Sequence, residues 1–167
     1  MGRIGQTIAR RASGFDMRVR YHNRTQLDAA TEAKLNVRFD SKEAILSESD
    51  FVVVMVPYSP ATHHLIKADD IALMKRTAIL INTARGGVVD DAALIAALKE
   101  NRIAGAGIDV FEGEPAFNAE FLKLDNVVLT PHIGSATRAT RMRMAALAAE
   151  NMTMALAGKI PPNLVNA

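Results

Sequence analysis

The sequence predicts an α/β fold, doubly wound around a parallel sheet, and three observations carry that expectation. Apolar runs of strand length recur along the chain, most clearly DFVVVMVP (50–57) and TAILINTA (77–84). Helical patterns alternate with them. The connections are short, and strands alternating with helices close into a sheet through right-handed parallel crossovers.

The elements run in order along the chain. Residues 4–12 read as a helix and MRVRYH (17–22) as a strand; a helix over 27–34 then leads to a short strand at 37–39. Ser41 sets up a short helix ending near Leu46, with Glu43 in its first turn. The run 50–57 is continuously apolar and ends in proline, so it is expected to be a strand buried on both faces. A helix over 66–74 precedes the second buried strand at 77–84, and Asp90 N-caps a helix running to about Lys99. Short strands are expected at AGAGIDV (104–110) and NVVLTP (126–131). The last helix runs from Ser135 to about Ala157, stopped by Gly158 with Pro161 and Pro162 beyond it. Along it Met142, Ala145, Ala149, Met152 and Leu156 recur at helical spacing, an apolar seam expected to serve as core or as an interdomain contact. This divides the chain into one domain over 1–157 and a tail over 158–167, without repeats or low-complexity linkers.

Composition narrows the function classes. With 167 residues, 49% hydrophobic and 23% charged, there is enough apolar material for one core. The absence of cysteine excludes disulfides and thiolate metal sites, and a reducing, cytoplasmic compartment is expected. Net charge is only +2, although Arg3, Arg10, Arg11, Arg18, Arg20 and Arg24 crowd the first 24 residues against Asp16 alone. That bias suits a solvated basic face or a phosphate; nucleic acid is not expected as a partner. Nor is a membrane, since no apolar run approaches the roughly 18 residues of a span. No metal is expected. Four scattered histidines lack ligand spacing, and His63 and His64, adjacent in PATHHLI, are expected to point in different directions and pack a loop.

The opening MGRIGQTIARRA raises a specific expectation. Gly2 and Gly5 before a helix match the last two glycines of G-x-G-x-x-G, the Rossmann-type dinucleotide fingerprint, in which backbone N–H groups at a helix start, here Arg3 and Ile4, face a pyrophosphate. The first glycine, and the central strand before it, would precede Met1. The sequence is therefore expected to be the C-terminal part of a longer protein, or to begin at a late start codon, with neither its first central strand nor a separate substrate domain. About 20 residues on, where an acid would select NAD(H), stand Asn23, Arg24 and Thr25, with no carboxylate until Asp28. A guanidinium between neutral hydrogen-bonding groups favours NADP(H), with NAD(H) still possible.

Three predicted loops at strand C-termini hold residues able to do chemistry: Arg85 in INTARGG (81–87), Glu114 in GIDVFEGEP (107–115) and His132 in TPHIGSAT (130–137). A histidine beside a carboxylate is a general acid for a developing alkoxide, and an arginine fork binds a planar carboxylate. Taken with NTARGGVVDDAAL, these stretches make the chain resemble the cofactor-binding domain of the D-isomer-specific 2-hydroxyacid dehydrogenases, most similar within them to the glyoxylate/hydroxypyruvate and 2-ketogluconate reductases. The resemblance runs along nearly the whole chain. It implies that Arg85 binds the 2-oxoacid, that His132 is the acid/base paired with Glu114, and that the nicotinamide cofactor is held by Gly2, Arg3, Ile4, Gly5, Asn23, Arg24, Thr25, Pro57, Thr62, Thr83, Asp109 and Gly134. It further implies a small 2-oxoacid or 2-hydroxyacid as substrate, a second domain forming the other wall of the cleft, and a homodimer. Two other readings stay open at this level: a non-catalytic nucleotide-binding or interaction module, as a truncated remnant or a corepressor-like relative, and an NAD-dependent enzyme like phosphoglycerate dehydrogenase.

Overall fold

The computed structural model describes residues 1–165. It divides into two compact units, Met1–His132 and the segment from Ile133 onward.

The first unit is α/β, as expected. Its elements are α1 (Arg3–Ala12), β1 (Val19–Tyr21), α2 (Ala29–Leu35), β2 (Val37–Phe39), α3 (Lys42–Glu48), β3 (Phe51–Val54), α4 (Ala68–Leu73), β4 (Ile79–Asn82), α5 (Asp91–Lys99), β5 (Gly105–Ile108) and β6 (Val127–Leu129). Side chains start the helices where the sequence supplies them: the carboxylates of Asp28 and Asp90 and the hydroxyl of Ser41 accept the N–H groups of Thr31, Ala93 and Ala44.

All strand pairings are parallel. β1 pairs with β2, and β3, β4, β5 and β6 form a four-stranded sheet in that order. The register of the larger sheet aligns its strand ends. Val54 lies opposite Asn82, Asn82 opposite Ile108, and Ile108 opposite Leu129, so the last residues of four strands form one transverse row. The four loops that leave the row start level with one another. Beneath them Leu46, Ile71, Leu80, Leu94, Leu98 and Phe121 are almost completely buried in one core. A smaller cluster of Ala9, Tyr21, Leu35 and Val37 joins α1, α2 and the β1–β2 pair, where the Tyr21 hydroxyl donates to Glu32 at 2.6 Å.

Two sequence expectations need correction. The run 50–57 is not buried on both faces: Val52 and Val54 enter the core, whereas Phe51 and Val53 are 48% and 39% exposed. Side chains along β3 alternate between the two faces of the sheet, and only the face that carries Val52 and Val54 is packed. The apolar seam of the final helix, α6 (Arg138–Leu156), is exposed, with Met142, Met152 and Leu156 at 64%, 66% and 83%, which leaves an interdomain contact as its expected role. The start of α6 also shifts from Ser135 to Thr137, whose hydroxyl accepts the Thr140 N–H, while Ser135 adopts a left-handed backbone. No helix among the described residues is long and apolar enough to cross a membrane.

Asp91, the first residue of α5, is buried and accepts the N–H of Glu112 at 3.0 Å. Burial pushes its carboxyl up to about 6; the Glu112 N–H opposes the shift, while the charges of Glu112 and Asp90 add to it. The folded chain therefore holds this proton more tightly than the unfolded chain, whose Asp titrates near 3.9, and the charged form costs stability above that window. In thermal unfolding in metal-free buffer, Asp91→Asn is expected to raise the midpoint by about 2–4 °C near pH 8, with the gain vanishing as the pH falls toward 4. A gain that is the same at both ends would show that Asp91 is not the titrating group.

Candidate active site

The loops leaving the row of strand ends carry most of the residues singled out in the sequence. After β6, the chain turns at Thr130, whose N–H bonds the Ile108 carbonyl at 2.9 Å and whose carbonyl accepts the His132 N–H at 3.0 Å. His132 then takes a left-handed backbone conformation (φ 51°). After β5, Asp109 is tied to the neighbouring strand through its N–H on the Asn82 carbonyl at 3.0 Å, and its buried carboxylate accepts the Thr130 hydroxyl at 2.6 Å.

Glu114 and His132 are brought together. The imidazole Nδ1 lies 2.8 Å from one Glu114 oxygen, and the other oxygen accepts the Phe111 N–H at 2.7 Å. Burial raises the Glu114 carboxyl, but the hydrogen bonds from His132 and Phe111 and the nearby imidazole outweigh it and hold the group below its ordinary value. Both side chains are partly open to solvent, and they border a cavity of about 640 Å³ whose other walls include Phe111, Phe117, Leu122 and Leu129.

Arg85 is positioned separately. Asn82, completely buried at the end of β4, receives the Ala84 N–H on its amide oxygen at 3.1 Å and donates to the Arg85 carbonyl at 3.3 Å. The exposed Arg85 guanidinium bonds the Ala84 carbonyl, not the Glu114–His132 pair. Next to it, a Cβ on Gly86 would lie 1.8 Å from the Phe111 carbonyl oxygen, so the loop carrying Arg85 meets the loop carrying Glu114 backbone to backbone. Asn82 and Thr130 are not singled out by the sequence alone. A signal exists for Asn82: an amide closing the buried run ILIN must find partners.

The expected cofactor residues fall into local groups. Gly2 is the N-cap of α1, with no side-chain cap and open space where a Cβ would point. The first-turn N–H groups there, including Arg3, Ile4 and Gly5, have no intrahelical acceptor and fit an anionic phosphate. Beyond β1, Asn23 donates to the Thr25 carbonyl at 3.4 Å, and Arg24 is exposed without an ion pair among the described residues. Thr62 donates to the Pro57 carbonyl at 2.8 Å and closes the loop after β3, while the Thr83 hydroxyl reaches the Met55 sulfur at 3.1 Å. Gly134 belongs to the second unit and accepts the Ser135 hydroxyl at 2.6 Å.

The expectation for His63 and His64 is overturned. Their rings stack with centroids 3.9 Å apart, because His64 is left-handed (φ 48°) and turns back over its neighbour instead of projecting to the opposite side as in an extended chain.

Gly86→Ala is expected to cost on the order of 3–5 kcal/mol in denaturant unfolding, since backbone, not a flexible side chain, blocks the new methyl group. A variant of unchanged stability would mean that the two loops do not meet at Gly86.

Comparisons with known proteins agree with this architecture. Residues 1–134 match the family model described as D-isomer specific 2-hydroxyacid dehydrogenase, NAD binding domain. A glyoxylate reductase of Pyrococcus horikoshii is 57% identical over 166 residues, covering 99% of this chain and 49% of the relative. Among solved structures, the TT0316 protein of Thermus thermophilus superposes with a TM-score of 0.91 at 47% identity, covering 99% of this chain and 51% of that one. An NADPH-dependent glyoxylate/hydroxypyruvate reductase of Sinorhizobium meliloti, solved with NADP and malonate, gives a TM-score of 0.84 at 37% identity over 91% of this chain and 46% of its own. The chain thus spans about half the length of the relatives it matches. With its parallel sheet, its glycine-started helix and this match, the chain belongs to the D-isomer-specific 2-hydroxyacid dehydrogenases, within their Rossmann-type NAD-binding domain.

Proposed function

We propose that the chain carries the dinucleotide-binding unit and the acid–base pair of an NADPH-dependent reductase that converts a small 2-oxoacid, such as glyoxylate, hydroxypyruvate or 2-ketogluconate, to the D-2-hydroxyacid. The observation that carries this reading is the 2.8 Å contact between His132 Nδ1 and Glu114. With Nδ1 engaged by a carboxylate, Nε2 is the nitrogen left to deliver a proton to a ketone oxygen as it becomes an alkoxide, and Glu114 fixes the ring's orientation. Arg85, set on its Asn82-braced turn, binds the substrate carboxylate and polarises the adjacent carbonyl. When bound, the reduced nicotinamide supplies the hydride.

The N-terminus of α1 would receive the pyrophosphate, Pro57, Thr62, Thr83 and Asp109 would line the rest of the cofactor, and Asn23, Arg24 and Thr25 would face the adenine ribose. The absence of a carboxylate in that last trio supports NADPH over NADH. The reading includes a cytoplasmic homodimer as the working form, on the strength of the family resemblance.

His132→Ala is expected to abolish reduction of glyoxylate and hydroxypyruvate, followed by NADPH absorbance, while NADPH affinity stays within about twofold; lost nucleotide binding would make His132 structural and remove the acid–base assignment. Arg24→Ala is expected to weaken NADPH about 10- to 100-fold in a fluorescence titration, the size of one or two hydrogen bonds to a charged group, and to leave NADH unchanged. Equal losses for both nucleotides would refute the 2′-phosphate role.

A further inference from the structure

The cluster that joins the loop after β3 to the loop after β5 has no part in the reaction above. One nitrogen from each of His63 and His64 and one carboxylate oxygen of Glu112 lie within 4.8 Å of one another. We propose that these three side chains form a binding site for a borderline-soft divalent cation such as Zn²⁺, clamping the loop after β3 to the loop that carries Glu114.

Four features support it. The donor set, two imidazoles and a carboxylate, is that of three-ligand zinc sites, with room left for water or a fourth ligand. Each ring's Nδ1 faces a partner that would orient it for coordination through Nε2: the Tyr58 hydroxyl lies 3.3 Å from His63 Nδ1 and an Asp90 oxygen 3.7 Å from His64 Nδ1. His64 Nε2 already meets Glu112 at 3.2 Å, the edge along which an ion would insert. Finally, Asp90, Asp91 and Glu112 crowd the same place, and among the described residues none of them pairs with lysine or arginine. Three carboxylates against two imidazoles leave a negative excess that a dication would neutralise.

The left-handed backbone of His64 is held by its N–H on the Gly87 carbonyl at 2.8 Å and by the bridge of Ile66 to Val89. A left-handed non-glycine residue is sustained only where its surroundings fix it, and here its effect is to lay one imidazole on the other. Tetrahedral ligands about 2.1 Å from a zinc ion stand about 3.4 Å apart, so closure needs the rings to swing inward by about 1 Å. His63 is exposed, so that movement requires no repacking of buried side chains.

The test is calorimetric titration of the EDTA-treated, dialysed chain with Zn²⁺, beside His63→Ala, His64→Ala, Glu112→Gln and His132→Ala. One ion per chain is expected, at least about tenfold weaker in each of the first three variants and unchanged in His132→Ala. Circular dichroism confirms that each variant is folded, and His63→Ala, altered at an exposed ring, is the decisive one. The proposal is overturned if no saturable binding is seen, if His63→Ala binds as well as the parent chain, or if His132→Ala loses the ion, which would place it at the Glu114–His132 pair.

Discussion

The close approach of Gly86 to the Phe111 carbonyl is the constraint on which the site depends. A backbone passing where no Cβ fits holds the loop after β4 against the loop after β5, and those loops present Arg85 and Glu114. Nothing in the hydrogen-bond ladder alone imposes this. Strands in register bring their loops out level, but level loops can still splay. The glycine removes the side chain that would force them apart, and the buried Asn82, bonded into both the strand and the turn, keeps the turn from relaxing away.

Behind that contact lies a set of short polar links in an otherwise apolar interior. Asn82 holds the turn that bears Arg85; Thr130 reaches across to Asp109; the Asn82 carbonyl receives the Asp109 N–H. Asn82 and Asp109 are buried and satisfied, Thr130 is partly buried and satisfied, and among the described residues no buried side-chain polar atom lacks a partner. Left unsatisfied, any of them would carry a desolvation penalty of about 1–3 kcal/mol, so the network specifies one arrangement of the strand ends.

Most of this is legible in the sequence, for identifiable reasons. Strands and helices announce themselves through period and caps, and Asp90, Ser41 and Gly158 mark their boundaries. The three chemical residues can be found because each stands in a loop directly after an apolar run. What escapes depends on neighbours distant in sequence. Whether Phe51 and Val53 are covered is decided by the sheet's outer layer, not by their own hydrophobicity. The stacking of His63 on His64 arises from one left-handed residue, and sequence gives no warning of a positive φ at a histidine. The seam on α6 has the right period for burial, but period alone does not tell a core face from an interdomain contact.

The clamped carboxylate of Glu114 carries a consequence for how such a site persists through divergence. One of its oxygens is taken by the Phe111 N–H only three residues earlier, and His132 is oriented by the Thr130 carbonyl two residues before it. Each half of the pair is thus programmed by its own short turn, and the halves meet wherever those turns leave adjacent parallel strands in this register. The instructions for the geometry occupy a few contiguous residues in two places, so wide substitution elsewhere in the chain leaves them readable.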